Sequence, residues 1–477
     1  MKTIKFLTLS ALAFFTMLSC SDFDDTNIDP NAAVKVPAEV LLTTGQYELY
    51  RNLNGVAVNA DFGLLMVQHW AQNEYTEDQR YGFDITSFNL TFTDIYTDAG
   101  KELATAKEQV DLEENLPQVK ANKKHILDIM LVQLFGALTD GFGDIPYTET
   151  FSTVSFPKYD SQADIYKGIL ERLDVAANGL NESFESFGDK ADVIYNSDIA
   201  KWKKFANSLM LRYAIRVSDA DAALATTYVN KAIAGGVFTS NADNANFSYP
   251  NVDARANPLY RNYSPQISNR DDYCISKTLT DKLTAMGDPR IDKYAKPAAG
   301  GGIVGMPYGL NDNDATTLKP NCSRPNDAVR EATTPFHIIT YSEVQFLLAE
   351  AYQRGIAAGD AQTAYNNAVT ASMNQWDITD TAAINTYLAA NAYDAGNWKM
   401  SIGTQKWIAL YMNGFEAWNE WRRLDFPVLT PAPAGIISTI PVKLPYPLSE
   451  TTGNATNLGQ VTSNPADLTA KVWWDKN

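Results

Sequence analysis

The stretch "EVQFLLAEAYQRGIAAGDAQTAYNNAVTAS", residues 343–372, reads as two helices folded back on each other. Apolar residues recur at three- and four-residue spacing on both sides of Gly359-Asp360, which supplies a turn. Leu348, Ala349, Tyr352, Ala361, Tyr365 and Ala368 stand at the packing positions of a tetratricopeptide repeat. Small side chains at 349, 361 and 368 let two antiparallel helices approach closely. Such units bury their apolar faces by stacking, so one clean copy predicts further, more degenerate ones.

Working outward, the same periodicity predicts helices at about 37–52, 55–73, 92–113, 119–139, 161–181, 198–217 and 221–234. It predicts later ones at about 274–286, 340–355, 360–374, 380–391 and 401–424, with no series of alternating strands. In "SDIAKWKKFANSLMLRYAIRVSDA" (197–220), Trp202, Phe205, Ala206, Leu209, Tyr213 and Val217 share one face, capped by Ser197 or Asp198. Arg212 and Arg216 flank that face and are expected to reach acids on a neighbouring helix while their stems pack. The stretches 235–273 and 287–335 are rich in Asn, Asp, Gly, Pro and Tyr. Loops that long are usually functional or disordered, and in a helical scaffold they are where a ligand surface is built.

The chain carries a formal charge of −17. A surface this acidic repels phosphates and anionic headgroups, which argues against nucleic acid and leaves neutral ligands open. The 24 Tyr, 21 Phe and 9 Trp go beyond ordinary core needs and suggest a surface that stacks on something.

At the N-terminus, Lys2 and Lys5 form a short positive region, and Ile4 to Met17 is mostly apolar. That is too short for a membrane-spanning helix and right for a secretory leader. It ends Met17-Leu18-Ser19-Cys20, which resembles a bacterial lipobox with Met17 where the pattern has Leu. The expected organisation is a leader at 1–19, a lipidated Cys20 with a polar tether to 35, and a single domain over 36–477. Acyl chains on Cys20 would anchor the chain, at about 0.8 kcal/mol per buried CH₂, with Asp22, Asp24 and Asp25 keeping the tether solvated. Cys274 and Cys322 either pair in an oxidising compartment or remain buried thiols.

Several stretches together resemble the SusD/RagB family of Bacteroidetes nutrient-uptake lipoproteins, especially its SusD-like second branch. They are "TNIDPN" (26–31), "LFGALTDGFGDIPYTET" (134–150), "WKKFANSLMLRYAIR" (202–216), "MGDPRI" (286–291), "ITYSEVQFLLAEAYQRG" (339–355), "GFEAWNEWRRLDFP" (414–427), "IPVKLPYPLSE" (440–450) and "NPADLTAKVWWDKN" (464–477). The resemblance implies an all-α fold of about four tetratricopeptide-like helix pairs packed with a loop-rich, ligand-binding half. It also implies an outer-membrane lipoprotein that binds an oligosaccharide, or alternatively an oligopeptide, and hands it to a SusC-like TonB-dependent transporter. The motifs themselves read as structural. Gly141, Gly143, Asp144, Ile145 and Pro146 end a helix. Asp288, Pro289 and Arg290 fix a turn by a local ion pair. Trp418, Trp421, Arg422 and Arg423 lock the last long helix to the repeats.

Catalytic signals are sparse. His69, His125 and His337 are scattered, and no H-E-x-x-H, C-x-x-C or G-x-S-x-G occurs. "GGGIVG" (300–305) lacks the strand–turn–helix setting of a dinucleotide site. No cofactor is expected; "NDNDA" (311–315) offers oxygen ligands but not the Gly and distal Glu of a calcium loop. A lipid-anchored helical glycoside hydrolase and a tetratricopeptide adaptor for protein partners are the competing readings. Candidate ligand contacts come from two stretches. "QHWAQNEYTEDQRYGF" (68–83) offers Trp70, Asn73, Tyr75 and Tyr81, and "FSYPNVDARANPLYRNY" (247–263) offers Tyr249, Tyr260 and Tyr263. Rings stack on the apolar faces of sugars, and amides and carboxylates take their hydroxyls. Trp376 and Trp398 are weaker candidates, and Trp473 and Trp474 are expected to dock the tail.

Overall fold

The computed structural model describes residues 36–476. The expected leader, Cys20 and the tether lie outside the described residues. The α-helices of nine or more residues are α1 (Ala38–Leu53), α2 (Lys101–Asp111), α3 (Pro117–Phe142), α4 (Gln162–Gly179), α5 (Ile199–Arg216) and α6 (Ala222–Gly235). They continue with α7 (Lys277–Ala285), α8 (Tyr341–Gln353), α9 (Ala361–Gln375), α10 (Thr381–Ala390), α11 (Trp398–Ala409) and α12 (Gly414–Leu424).

The pair read first from the sequence is α8 and α9. Thr340 caps α8 by accepting from the Glu343 amide (3.2 Å), and Asp360 caps α9 by accepting from the Thr363 amide (2.6 Å). Leu348, Ala349, Tyr365 and Ala368 are buried between them. The Ser342 hydroxyl donates across the pair to the Ala368 carbonyl (2.7 Å), an approach that the small Ala368 permits. Ala361 and Tyr352 are only half-buried, and Ala364, one turn on, takes the inner position expected of Ala361. The other repeats are α1 with α2, α3 with α4, and α5 with α6, with α4 also packed on α5. The fold is therefore all-α, with four tetratricopeptide-like pairs.

Three predicted helices come out differently. The segment expected at 55–73 is a π-helical stretch, Val56–Leu64, that ends near Gln68 (φ 56°) and turns into strand β1 (Trp70–Gln72). The segment at 92–113 runs through a π-helical turn, Ile95–Gly100, before α2. The segment at 401–424 breaks into α11 and α12, because Met412 is left-handed (φ 74°) and the Asn413 side chain caps a new helix. Strands occur only as two-stranded ribbons among the described residues: β1 with β5 (Tyr273–Ile275), β2 (Ile145–Pro146) with β3 (Tyr159–Asp160), and β4 (Ala245–Phe247) with β6 (Phe336–Ile339).

A buried ionic network ties the repeats to the last helices. Arg212 on α5 grips Glu343 on α8 through two hydrogen bonds of 2.6 Å. Arg216, also on α5, donates to Asp140 on α3 and Glu416 on α12. Arg423 on α12 reaches Glu350 on α8 and Glu420 on its own helix (2.7 Å), and Lys406 on α11 lies 2.8 Å from Glu420. Asp288 and Arg290 form the expected local pair (2.6 Å), fully buried, with the Tyr387 hydroxyl donating to the same Asp288 oxygen (2.7 Å). The Arg422 guanidinium lies over Trp418 (3.4 Å) and Trp474 (4.6 Å), which draws the C-terminal segment onto α12. This polar framework leaves the long loops as the part of the molecule free to carry a ligand face.

Candidate functional site

Three distant loops meet beside the β1–β5 ribbon. Trp70 pairs with Ile275 and Gln72 with Tyr273, and the Asn73 amide continues the ladder to the Asp272 carbonyl (2.7 Å). Gln72 and Gln79 close the base of the following loop: each main-chain amide donates to the other's side-chain oxygen (3.0 and 3.1 Å). Further along, the Thr76 amide donates to Asp312 (2.9 Å), and Lys319 reaches Glu74 (2.8 Å). Thus "NDNDA" begins a short helix, Asp312–Leu318, that braces this loop.

Pinned at both ends, the loop holds Tyr75 in the left-handed region (φ 52°), a conformation costing a non-glycine residue on the order of 1 kcal/mol. Tyr75 is 58 % exposed. Phe156 is the only other aromatic residue as open among the described residues. The Arg270 guanidinium lies 4.5 Å from the centre of the Tyr75 ring, and Arg270 is itself fixed by Asp272 (2.6 Å). The Arg270 amide donates to the Asn262 carbonyl (2.9 Å), which joins this face to the short helix Pro258–Tyr263. On that helix Tyr263 lies under the Arg330 guanidinium (3.6 Å), and Tyr260 is half-buried. Arg324 holds Asp271, the neighbour of Arg270, through three contacts (2.8, 3.0 and 2.9 Å).

The structure thus places Tyr75, Tyr260 and Tyr263, drawn from both candidate stretches, on one connected set of loops. The other four candidates lie inside. Trp70 donates to the Tyr411 hydroxyl (3.1 Å), and Asn73 donates to the Cys274 sulfur (3.4 Å). The Tyr81 hydroxyl accepts from the Ala432 amide (2.8 Å), and the Tyr249 hydroxyl donates to the Tyr50 carbonyl (3.1 Å). All four are at most 3 % exposed and hold loops to helices. Arg270, Lys319 and Arg324 carried no sequence signal beyond lying in the two polar loop regions.

Beside Trp70, the Tyr273 hydroxyl donates to Asp61. Burial, then the nearby Asp78 charge, raises the Asp61 pKa from 3.8 to about 7. The folded chain therefore keeps a proton that the unfolded chain loses above its ordinary carboxylate range. The contribution of Asp61 to stability therefore falls as pH rises from about 4 through about 7. Asp61→Asn is expected to flatten that slope and to raise Tm by a few degrees at about pH 8, with little change at about pH 4. Calorimetry of both proteins across that range checks it.

His69 is enclosed beside Trp407 (4.7 Å) and burial pushes it down to about 3, while burial lowers His337 to about 4. Cys274 and Cys322 are buried and unlinked. Among the described residues no group of three or more His, Cys, Asp and Glu side chains is arranged to hold a metal ion.

Tetratricopeptide-like pairs bearing a loop-built face define a helical-repeat scaffold. Comparison with known proteins places it further. The SusD-like family model, described as starch-binding and associating with the outer membrane, matches residues 30–447. The chain belongs to that SusD-like family. Among solved structures it is 31 % identical to a chitin-binding protein, covering 92 % of this chain and 100 % of that one, with a TM-score of 0.80. A SusD homologue from Parabacteroides distasonis shares 24 % identity over 92 % and 98 % of the two chains (TM-score 0.80). A chitin-binding SusD homologue from Flavobacterium johnsoniae shares 22 % over 91 % and 99 % (TM-score 0.78). No curated protein matches.

Proposed function

We propose that this protein binds a nutrient glycan at the Tyr75 face and releases it unaltered to a SusC-like TonB-dependent transporter, held to the outer membrane through acyl chains on Cys20. The observation that carries the reading is the Tyr75 ring. It is held outward at a strained backbone position, 58 % exposed, with Arg270 stacked on it and fixed by Asp272. A chain rarely spends backbone strain to expose an aromatic ring unless the ring has a partner. A sugar's C–H face stacks on it, and Arg270, Glu74 and Lys319 supply donors and acceptors for the hydroxyls. The chitin-binding relatives and the starch-binding family description support a neutral glucose- or N-acetylglucosamine-based polymer.

The test is calorimetric titration of the chain lacking residues 1–20 with chito- and malto-oligosaccharides, and with oligopeptides as the alternative ligand class. Tyr75→Ala is expected to weaken glycan binding by about 1–2 kcal/mol, roughly 5- to 30-fold in Kd, with Tm unchanged. Glycan binding equal to wild type in that variant would remove Tyr75 from the site. Binding of peptides alone would replace the ligand class.

A further inference from the structure

A second concave surface, separate from the residues around Tyr75, lies between α1, the loop 189–197 and the loop 247–255. It is a cleft of about 800 Å³, within the range of small-molecule sites. Its walls are preformed. Asp192 fixes the first by accepting from Trp202 Nε1 (2.6 Å), Gln46 Nε2 (3.0 Å) and the amides of Ile194 (3.0 Å) and Ser197 (2.8 Å). The turn that follows places Asn196 and Ser197 in the left-handed region (φ 51° and 65°). The second wall is fixed by β4, which pairs with β6, and by the Tyr249 hydroxyl, which bonds the Tyr50 carbonyl and accepts from Asn54 (3.1 Å).

Of the charged groups facing this space, Asp192 is engaged by its wall and Arg255 is not. Arg255 forms no ion pair within the described chain; its guanidinium lies 5.5 Å from the centre of the Tyr47 ring. That repeats the arginine-on-tyrosine arrangement of Arg270 and Tyr75. Lys190 and Asp189 line the rim, both exposed, along with the exposed Asn196 and Ser248. The lining carries two cations, Lys190 and Arg255, and two carboxylates, Asp189 and the fully engaged Asp192, so formal charges cancel. A charge-balanced cleft with an aromatic platform and mixed donors and acceptors suits a neutral, hydroxyl-rich ligand. It suits a polyanion poorly, since the whole chain is strongly acidic.

We propose that this cleft is a second saccharide-binding site, taking a neutral oligosaccharide across Tyr47 and Arg255. This rests on the glycan-binding reading above and adds a separate place of contact. Two sites on one chain can hold separate stretches of one polymer, so overall affinity exceeds that of either site wherever the span allows both.

The test is hydrogen–deuterium exchange of the wild-type chain lacking residues 1–20, with and without chitohexaose and maltoheptaose, repeated on Tyr75→Ala and on Ser248→Trp. The last variant fills the cleft from an exposed position. In the wild type, glycan is expected to slow exchange in 189–197 and 247–255 as well as in 73–81. Tyr75→Ala should abolish only the 73–81 effect, and Ser248→Trp only the other two. Protection confined to 73–81, or cleft protection that persists in Ser248→Trp, overturns the second site and leaves the first. Protection confined to the cleft segments leaves the second site and removes Tyr75. No protection anywhere overturns both.

Discussion

Arg216→Ala is expected to cost about 3–5 kcal/mol of stability, because it strands buried carboxylates. Arg216 is 1 % exposed and neutralises Asp140 and Glu416 directly, with Glu420 3.3 Å away. Burial already pushes the Asp140 carboxyl up, and the Arg216 charge is the largest influence holding it down. With that charge gone, Asp140 must take a proton or remain as an uncompensated ion in the core. Its folded pKa therefore rises, and the loss of stability should grow as pH climbs above the ordinary carboxylate range and shrink in acid. Tyr166 and Trp474 also bond Asp140, so the damage should spread to α4 and the C-terminal segment. Urea unfolding at about pH 5 and about pH 8 checks both size and slope. A cost below about 1 kcal/mol at the higher pH would show that the network is not buried as described.

Gly63→Ala should be comparably severe for a different reason. A Cβ at Gly63 would fall inside the contact distance of the Gly414 carbonyl carbon and the Phe415 nitrogen, and a Cβ at Gly414 would do the same to the Leu64 nitrogen. The obstacles are main chain on both sides, so no rotamer change relieves them. The crossing of Val56–Leu64 over α12 must open, at about 3 kcal/mol or more. Opening it would also disturb Asn59, which accepts from the Gly414 amide (2.8 Å) and donates to the Met412 carbonyl (3.0 Å). Gly188→Ala is the control. Nothing lies within 4 Å of its Cβ position, and it should stay within about 0.5 kcal/mol of wild type. Tm and soluble yield of the two variants make the comparison.

That glycine crossing also shows why parts of the fold were illegible beforehand. The 401–424 segment is helical by periodicity from end to end. It breaks at Met412 and Asn413, and Gly414 just beyond the break packs against Gly63, some 350 residues earlier in the chain, a contact of which a local pattern carries no trace. The ribbons were missed for a similar reason, since three residues at Trp70–Gln72 become a strand only when Tyr273–Ile275 lies alongside. By contrast α8 and α9 were readable because caps, turn and small packing residues all lie within one window. The arginines on α5 were readable because helical spacing alone fixes which face they flank.

In the two candidate stretches, residue type did not separate exposed rings from buried framework. A tyrosine in a polar loop looks the same whether it meets ligand or pins the loop. Tyr81 and Tyr249 pin theirs through partners at 432 and 50, while Tyr75 stays exposed; backbone φ does not separate them, since Tyr81 is left-handed too (φ 69°). Arginines that stack on rings, Arg270 and Arg255, are chosen by tertiary placement alone.

Under the proposed function, this helical chain binds a neutral glycan and leaves it intact. The most direct measurement is one incubation of the chain lacking residues 1–20 with chitohexaose and maltoheptaose. Binding is followed by calorimetry, and the recovered sugars are weighed by mass spectrometry. Saturable heat with at least one of the two, and unchanged sugar masses, is the predicted result. Absence of heat with both, or the appearance of shorter oligosaccharides, would contradict it.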